Sequence, residues 1–198
     1  MRVRASVLAA AFIVPTALVA SPNVRSVGPR SAEAAISIVV SVSELVQTAT
    51  HVVVAKAVEQ RGMWEDTPTG RRIVTYTRMD VERSVVGDVG SSVWVRTLGG
   101  TVGSTGQWVS GEAAIAPNSR SLLFLHKSGT AFAVAAMAQG HYPIVVTDGA
   151  VPRLAGSPDT GTLLLRRGPT IAAREVLVGK TLDTALQVIA EAKRAQRK

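Results

Sequence analysis

The stretch Arg71-Arg72-Ile73-Val74-Thr75-Tyr76-Thr77-Arg78-Met79-Asp80-Val81-Glu82 decides how the rest of the chain reads. Drawn out as an extended strand, it places Ile73, Thr75, Thr77, Met79 and Val81 on one side and Tyr76, Arg78, Asp80 and Glu82 on the other. Period-two alternation is the signature of a strand with one face buried and one face wet. Asp80 and Glu82 share the wet face, where paired carboxylates could serve acid–base chemistry. Arg78 and Arg83 beside them point instead to a solvated, charge-balanced surface.

Downstream, β-prone runs continue to Gln139 with glycines between them. Gly87-Asp88-Val89-Gly90 predicts a turn, and Ser92–Leu98 a strand with Val93, Val95 and Thr97 opposed to Trp94, Arg96 and Leu98. Glycines then cluster at 99, 100, 103, 106 and 111. A phosphate loop needs Gly-Lys-Ser/Thr and a helix start immediately after it, and neither is present. The cluster therefore predicts bulges, tight turns and close backbone approach, with Gln107-Trp108-Val109-Ser110 continuing as strand. Ser121–Lys127 is the most apolar run of the body and should be central. Ser128-Gly129 turns it into Ala131–Gly140, its hairpin partner. Residues 142–147 and 163–166 are further candidate strands, with turns at Asp148-Gly149 and Ser157-Pro158-Asp159. Thr181 caps a helix over 181–195 whose apolar face is Leu182, Ala185, Leu186, Ile189 and Ala190, and its last turns carry Lys193 and Arg194.

Upstream, Gln60–Gly70 is polar and turn-rich apart from Met63 and Trp64, which predicts a long hairpin loop. Trp64 is then either a recognition residue on that loop or a plug folded over the sheet's end. His51–Glu59 is too apolar at its start for a strand wetted on one side, so it should be covered on both faces. Ser43 is the candidate N-cap of a short helix with Glu44 in its first turn and Leu45, Val46 and Ala49 on its buried face. Ile36–Val42 reads as an edge strand and 21–35 as a leader or linker. Met1-Arg2-Val3-Arg4 followed by an apolar run to Ala20 has the build of a signal peptide over 1–20. That run is shorter than the ~20 apolar residues of a comfortable membrane span. The reading implies an exported, periplasmic or extracellular protein with no mature transmembrane segment.

Composition narrows the function classes. With 198 residues, 46% of them hydrophobic, the chain can bury one proper core, expected as a single β-rich domain over 36–198. Aromatics make up only 4%, so Val, Ala, Leu and Ile must build that core. The absence of cysteine removes disulfides, thiolate metal sites and cysteine nucleophiles. The formal charge of +8 becomes +6 once Arg2 and Arg4 leave with the leader, and it reads chiefly as a soluble basic surface. His51, His126 and His141 show no ligand spacing, so no metal or other cofactor is expected. No Gly-x-Ser-x-Gly elbow marks a nucleophile.

Leu98-Gly99-Gly100-Thr101-Val102-Gly103, Gly106-Gln107, Gly111-Glu112, Leu122-Leu123-Phe124-Leu125 and Met137-Ala138-Gln139-Gly140 together resemble a group of exported bacterial proteins of the myxobacterial type. That likeness implies export and no particular activity. The order of helix, apolar strand, alternating strand and valine-rich strand is also similar, by pattern, to oligonucleotide/oligosaccharide-binding (OB) barrels of the netrin and tissue-inhibitor-of-metalloproteinase type. It implies a small OB-like or related antiparallel β-barrel with a short N-terminal helix and a C-terminal amphipathic helix. Those inhibitors place an amino-terminal cysteine on a catalytic zinc, and this chain has no cysteine for that route.

A barrel of this kind can bind single-stranded nucleic acid with stacked aromatics and a basic groove. Export and sparse aromatics argue against that partner. The expected function is a non-enzymatic binding module for an exported protein or an envelope glycan, the alternatives being a secreted hydrolase with an unrecognised site or a protease-inhibitor-like module. The candidate ligand-binding residues are Trp64 on its loop, Tyr76, Arg78, Trp94 and Arg96 on one sheet face, and Trp108 in the glycine segment.

Overall fold

A computed structural model describes residues 36–67, 70–146, 151–165 and 168–196. The predicted signal peptide, the leader and the Asp148-Gly149 turn lie outside them. The longest elements are two antiparallel strands, β2 (His51–Thr67) and β3 (Gly70–Val86). Most of the predicted loop Gln60–Gly70 is therefore strand, paired in register from Gln60↔Thr77 to Thr67↔Gly70. Its polarity has another cause: the β2 half of this end is largely exposed on both faces, so charged side chains are as suited to it as to a loop. The turn chemistry is confined to the tip.

β1 (Ile36–Ile38) and helix α1 (Val42–Thr48) precede that ribbon. Ser41, rather than Ser43, caps α1. Its hydroxyl accepts from the Glu44 N–H (3.3 Å) while the Glu44 carboxylate accepts from the Ser41 N–H (2.8 Å), a reciprocal capping box. The serine three residues before a glutamate outcompetes the one beside it because only that spacing satisfies both free N–H groups. After β3 come β4 (Ser92–Leu98), β5 (Gly100–Val102), β6 (Thr105–Gln107), β7 (Arg120–Ser128) and β8 (Ala131–Val134). Trp108–Ser110 is not strand: Glu112 N–H donates to the Val109 carbonyl (3.3 Å), closing a turn. β8 likewise stops at Val134, because Ala136 and Met137 adopt left-handed backbone (φ 55° and 56°) and lead into a 3-10 turn over Met137–Gly140. β9 (His141–Val145), β10 (Arg153–Leu154), β11 (Thr162–Leu164), α2 (Ala173–Leu177) and α3 (Leu182–Ala195) complete the order. β10 and α2 are too short to leave a periodic trace.

The pairings define a mainly β molecule. β2 lies between β3 and β7, β4 follows β3, and β8 pairs with both β4 and β7, so five strands form a closed ring. Every contact in the ring is antiparallel except β4 with β8, which is parallel at Val95↔Phe132 and Arg96↔Ala133. β9 and β10 extend the sheet beyond β7, β5 and β6 form a separate hairpin, and β1 runs parallel to β11.

Two apolar clusters explain why His51–Glu59 lacks polar alternation. Val53, Ala55 and Ala57 of β2 join Met79, Val93, Val95, Leu123 and Leu125 in one cluster. Val52 and Val54 face the other way into a second, with Leu122 and Phe124 of β7, α1, α2 and α3. Both faces of β2 and β7 are thus buried, as expected for strands covered on two sides. α3 contributes Ala185, Leu186 and Ile189, while Ala190, about 40° beyond Leu186 around the helix, turns to solvent.

Candidate functional site

On the ring's outer face, β3 presents Tyr76 and Arg78 beside Trp94 and Arg96 of β4, with Tyr76 opposite Arg96 and Arg78 opposite Trp94. The four predicted residues are brought together. β2 brings three more side chains to this face. Arg61 sets its guanidinium 5.2 Å from the Trp94 ring centroid, and Met63 and Glu65 follow at alternate positions. Arg61, Met63, Tyr76 and Trp94 line a depression of about 360 Å³ closed on its far side by Thr130 and Ala131 of the β7–β8 hairpin.

Charge on this face is neutralised locally. Glu65 accepts from Arg96 Nη2 and from the Tyr76 hydroxyl, both at 2.6 Å. The Arg96 guanidinium holds the Glu65 carboxyl below its usual range, and Glu65 in turn pushes the Tyr76 phenol up. Arg78 donates through Nε to Glu59 (3.2 Å) and through Nη1 to Asp80 (3.4 Å). Glu82 pairs with Arg120 (2.6 Å). Asp80 is therefore tied to its neighbour Arg78, as the sequence predicted, whereas Glu82 is tied to the distant Arg120 rather than to Arg83.

The other two predicted tryptophans are elsewhere. Trp64 stands on a strand, opposite Ile73, on the reverse face of the ribbon from Met63 and Glu65. It is 38% exposed with Arg71 over its ring at 5.3 Å, so it is neither a loop residue nor a plug over the core. Trp108, 62% exposed, lines a second and larger cleft of about 480 Å³ under the glycine segment. Close backbone approach builds that cleft. A Cβ at Gly62 would strike the Thr101 carbonyl oxygen, and Gly100 (φ 120°) has no room for one against the Thr75 hydroxyl.

One constellation had no sequence signal. His141 of β9 bridges two serines from distant segments: Ser121 Oγ lies 3.0 Å from its Nε2 and Ser157 Oγ 3.1 Å from its Nδ1. A serine within reach of an imidazole is the geometry of an activated nucleophile. Here Ser121 is 0% and His141 1% exposed, and the adjoining void of about 10 Å³ is room for about one water. Burial depresses the His141 pKa to about 4, keeping the ring neutral between its two hydroxyl partners. The pair is closed off from solvent. It is a buried polar tie between β7, β9 and the segment at Ser157. Among the described residues no group of three or more His, Asp or Glu side chains is placed to hold a metal ion, and no helix is long and apolar enough to cross a membrane.

No protein-family model, no curated protein and no solved structure matches this chain.

Proposed function

We propose that this chain is an exported, non-catalytic binding module with an OB-like barrel, and that it holds a protein partner against the outer face of β3 and β4. Counting only the ring strands, their order around the ring is first, second, third, fifth, fourth, with the third and fifth parallel. That order supports the reading as a five-stranded Greek-key barrel, in which the second and third strands, flanked by the first and last hairpins, form the ligand face. The single observation that carries the reading is the depression between those two hairpins, lined by Arg61, Met63, Tyr76 and Trp94. Tyrosine, tryptophan, methionine and arginine are the types enriched where proteins meet proteins. The arginines are matched by Glu59, Glu65 and Asp80, so the face lacks the one-signed field that an anionic polymer requires. A glycan is the runner-up partner, and the burial of the Ser121–His141 pair weighs against hydrolysis there.

A photo-crosslinker placed at Arg61 or Trp94 in the producing cell tests this. The expected result is one envelope protein captured from both positions and none from Gln187 on α3, which is exposed. Binding to purified envelope glycan without protein capture would transfer the face to a sugar. Turnover of ester, peptide or glycan substrates, lost on Ser121→Ala, would replace the proposal with a hydrolase. Export has its own readout: amino-terminal sequencing of protein from the periplasm or medium should begin beyond Ala20.

A further inference from the structure

The cleft beneath the glycine segment is separate from the β3–β4 face and rests on different residues. Its walls come from β2 (Gln60), β3 (Thr75), β4 (Thr97, Leu98), the β5–β6 hairpin and the loop from Trp108 to Ile115. Most of its polar lining is committed to the frame. Gln60 Nε2 donates to the Ile115 carbonyl (2.7 Å) and to Thr77 Oγ1 (3.2 Å), Gln107 Oε1 accepts from the Ile73 N–H (2.6 Å), and Thr75 Oγ1 donates to the Gly99 carbonyl (2.7 Å). These bonds fix the walls before any ligand arrives.

Glu112 is the only ionisable side chain among the residues that line the cleft. One carboxylate oxygen accepts from the Ala113 N–H at 3.0 Å, and the Leu98 N–H also favours the charged form. None of the ion pairs among the described residues includes it. The one positive charge that acts on it is Arg96 of β4, whose Nε and Nη2 are both engaged by Glu65 (3.0 and 2.6 Å). On the loop side, Asp159 accepts from the Gly111 N–H (3.2 Å), one residue before Glu112. The groups facing Glu112 from β2, β3 and the β5–β6 hairpin are neutral. A protein of formal charge +8 thus keeps an unpaired carboxylate inside a cleft. Burial raises the pKa of Glu112, so desolvation outweighs the two backbone N–H bonds and the attraction of Arg96.

We propose that this cleft binds an organic monocation, an ammonium or guanidinium head on a short apolar arm, with the head on Glu112. Gln60 is held through its Nε2, which leaves its Oε1 as a second acceptor for the head's N–H groups. Val109, Ala114 and Ile115 supply apolar wall for the arm, and the exposed ring of Trp108 offers a cation–π surface beside the opening. A neutral sugar or alcohol could hydrogen-bond there but could not neutralise the carboxylate. The head belongs either to a free amine or to a lysine or arginine side chain of another protein.

Amide chemical shifts of the purified protein, followed at Gly99, Gly106 and Glu112, give the test. n-Butylammonium and n-butylguanidinium should shift all three saturably at pH 7.5, at least about tenfold more tightly than n-butanol. Glu112→Gln, which keeps the side chain's shape, should bring both cations down to the n-butanol level. Trp108→Ala, at an exposed position that folding does not need, should cost about threefold. In the wild type the cations should bind progressively less well as the pH falls through the raised pKa of Glu112, because the protonated carboxyl carries no charge. Nα-Acetyl-lysine amide distinguishes the sources. Tighter binding than n-butylammonium assigns the cleft to a protein side chain, and weaker binding to a free amine; either supports cation recognition. Equal affinity for n-butanol, an unchanged affinity in Glu112→Gln, or no saturable shift would overturn the proposal. None of these outcomes bears on the β3–β4 face.

Discussion

His141 carries the clearest pH consequence in the molecule. Its folded pKa of about 4 lies below the ordinary 6.5, so between those values the unfolded chain takes up a proton that the folded chain refuses. Stability is therefore complete above about pH 6.5 and falls as the pH drops toward 4. The loss is about 3 kcal/mol in total, most of it by pH 4.5. Glu112 works in the opposite sense, since its raised pKa favours the folded state as acid is added. Urea denaturation of wild type and His141→Gln at pH 7 and 4.5 isolates the histidine: the variant should lose most of the pH slope that the wild type shows. Glu65 and Glu82, held low by Arg96 and Arg120, lose their contribution only at more acid pH. Nothing in the sequence marked His141 apart from His51 and His126. The two serines that give it its role stand 20 positions before it and 16 after it.

Elements were legible to the extent that their patterns were local. β4 and the C-terminal helix follow from alternation and from the Thr181 cap, whose hydroxyl accepts from the Thr184 N–H (3.4 Å). The 3-10 turn after β8 was hidden, because what fixes it lies about a hundred positions away. The Gln139 amide accepts from the Val40 N–H (3.1 Å) and donates to the Ser37 hydroxyl and the Ile38 carbonyl (both 3.0 Å). That one buried side chain fastens the segment between β1 and α1 to the sheet. Gln139→Leu keeps the volume but strands a donor and an acceptor, and should cost about 2–3 kcal/mol in urea denaturation. Hydrogen exchange at Val40 should accelerate with it, while the amides of β3 keep their protection.

The whole molecule is held by the strands that belong to both apolar clusters. Val52–Ala55 of β2 pair with Ser121–Phe124 of β7, and each of these eight residues is at most 1% exposed. Opening that pair exposes the interior of the ring and the helix-covered face together, so it requires global unfolding. Native-state hydrogen exchange should find the slowest amides there. The far end of the β2–β3 ribbon, from Arg61 to Thr67, should exchange orders of magnitude faster because its side chains bury little. Slow exchange spread evenly along β2 would contradict this division.

From the residues alone came the β class, the two-sided burial of His51–Glu59, the central place of Ser121–Lys127, the flanking helices, and the sharing of one face by Tyr76, Arg78, Trp94 and Arg96. All of these depend on neighbours a few positions apart, where side-chain period and capping act directly. Only the tertiary structure closed the ring, drew Glu112 into a cleft without an ion-pair partner, buried His141 between two serines and put Trp64 and Trp108 away from the Tyr76 face. Each of these is set by strand register and by contacts between distant segments, and no local period encodes which distant residues will meet.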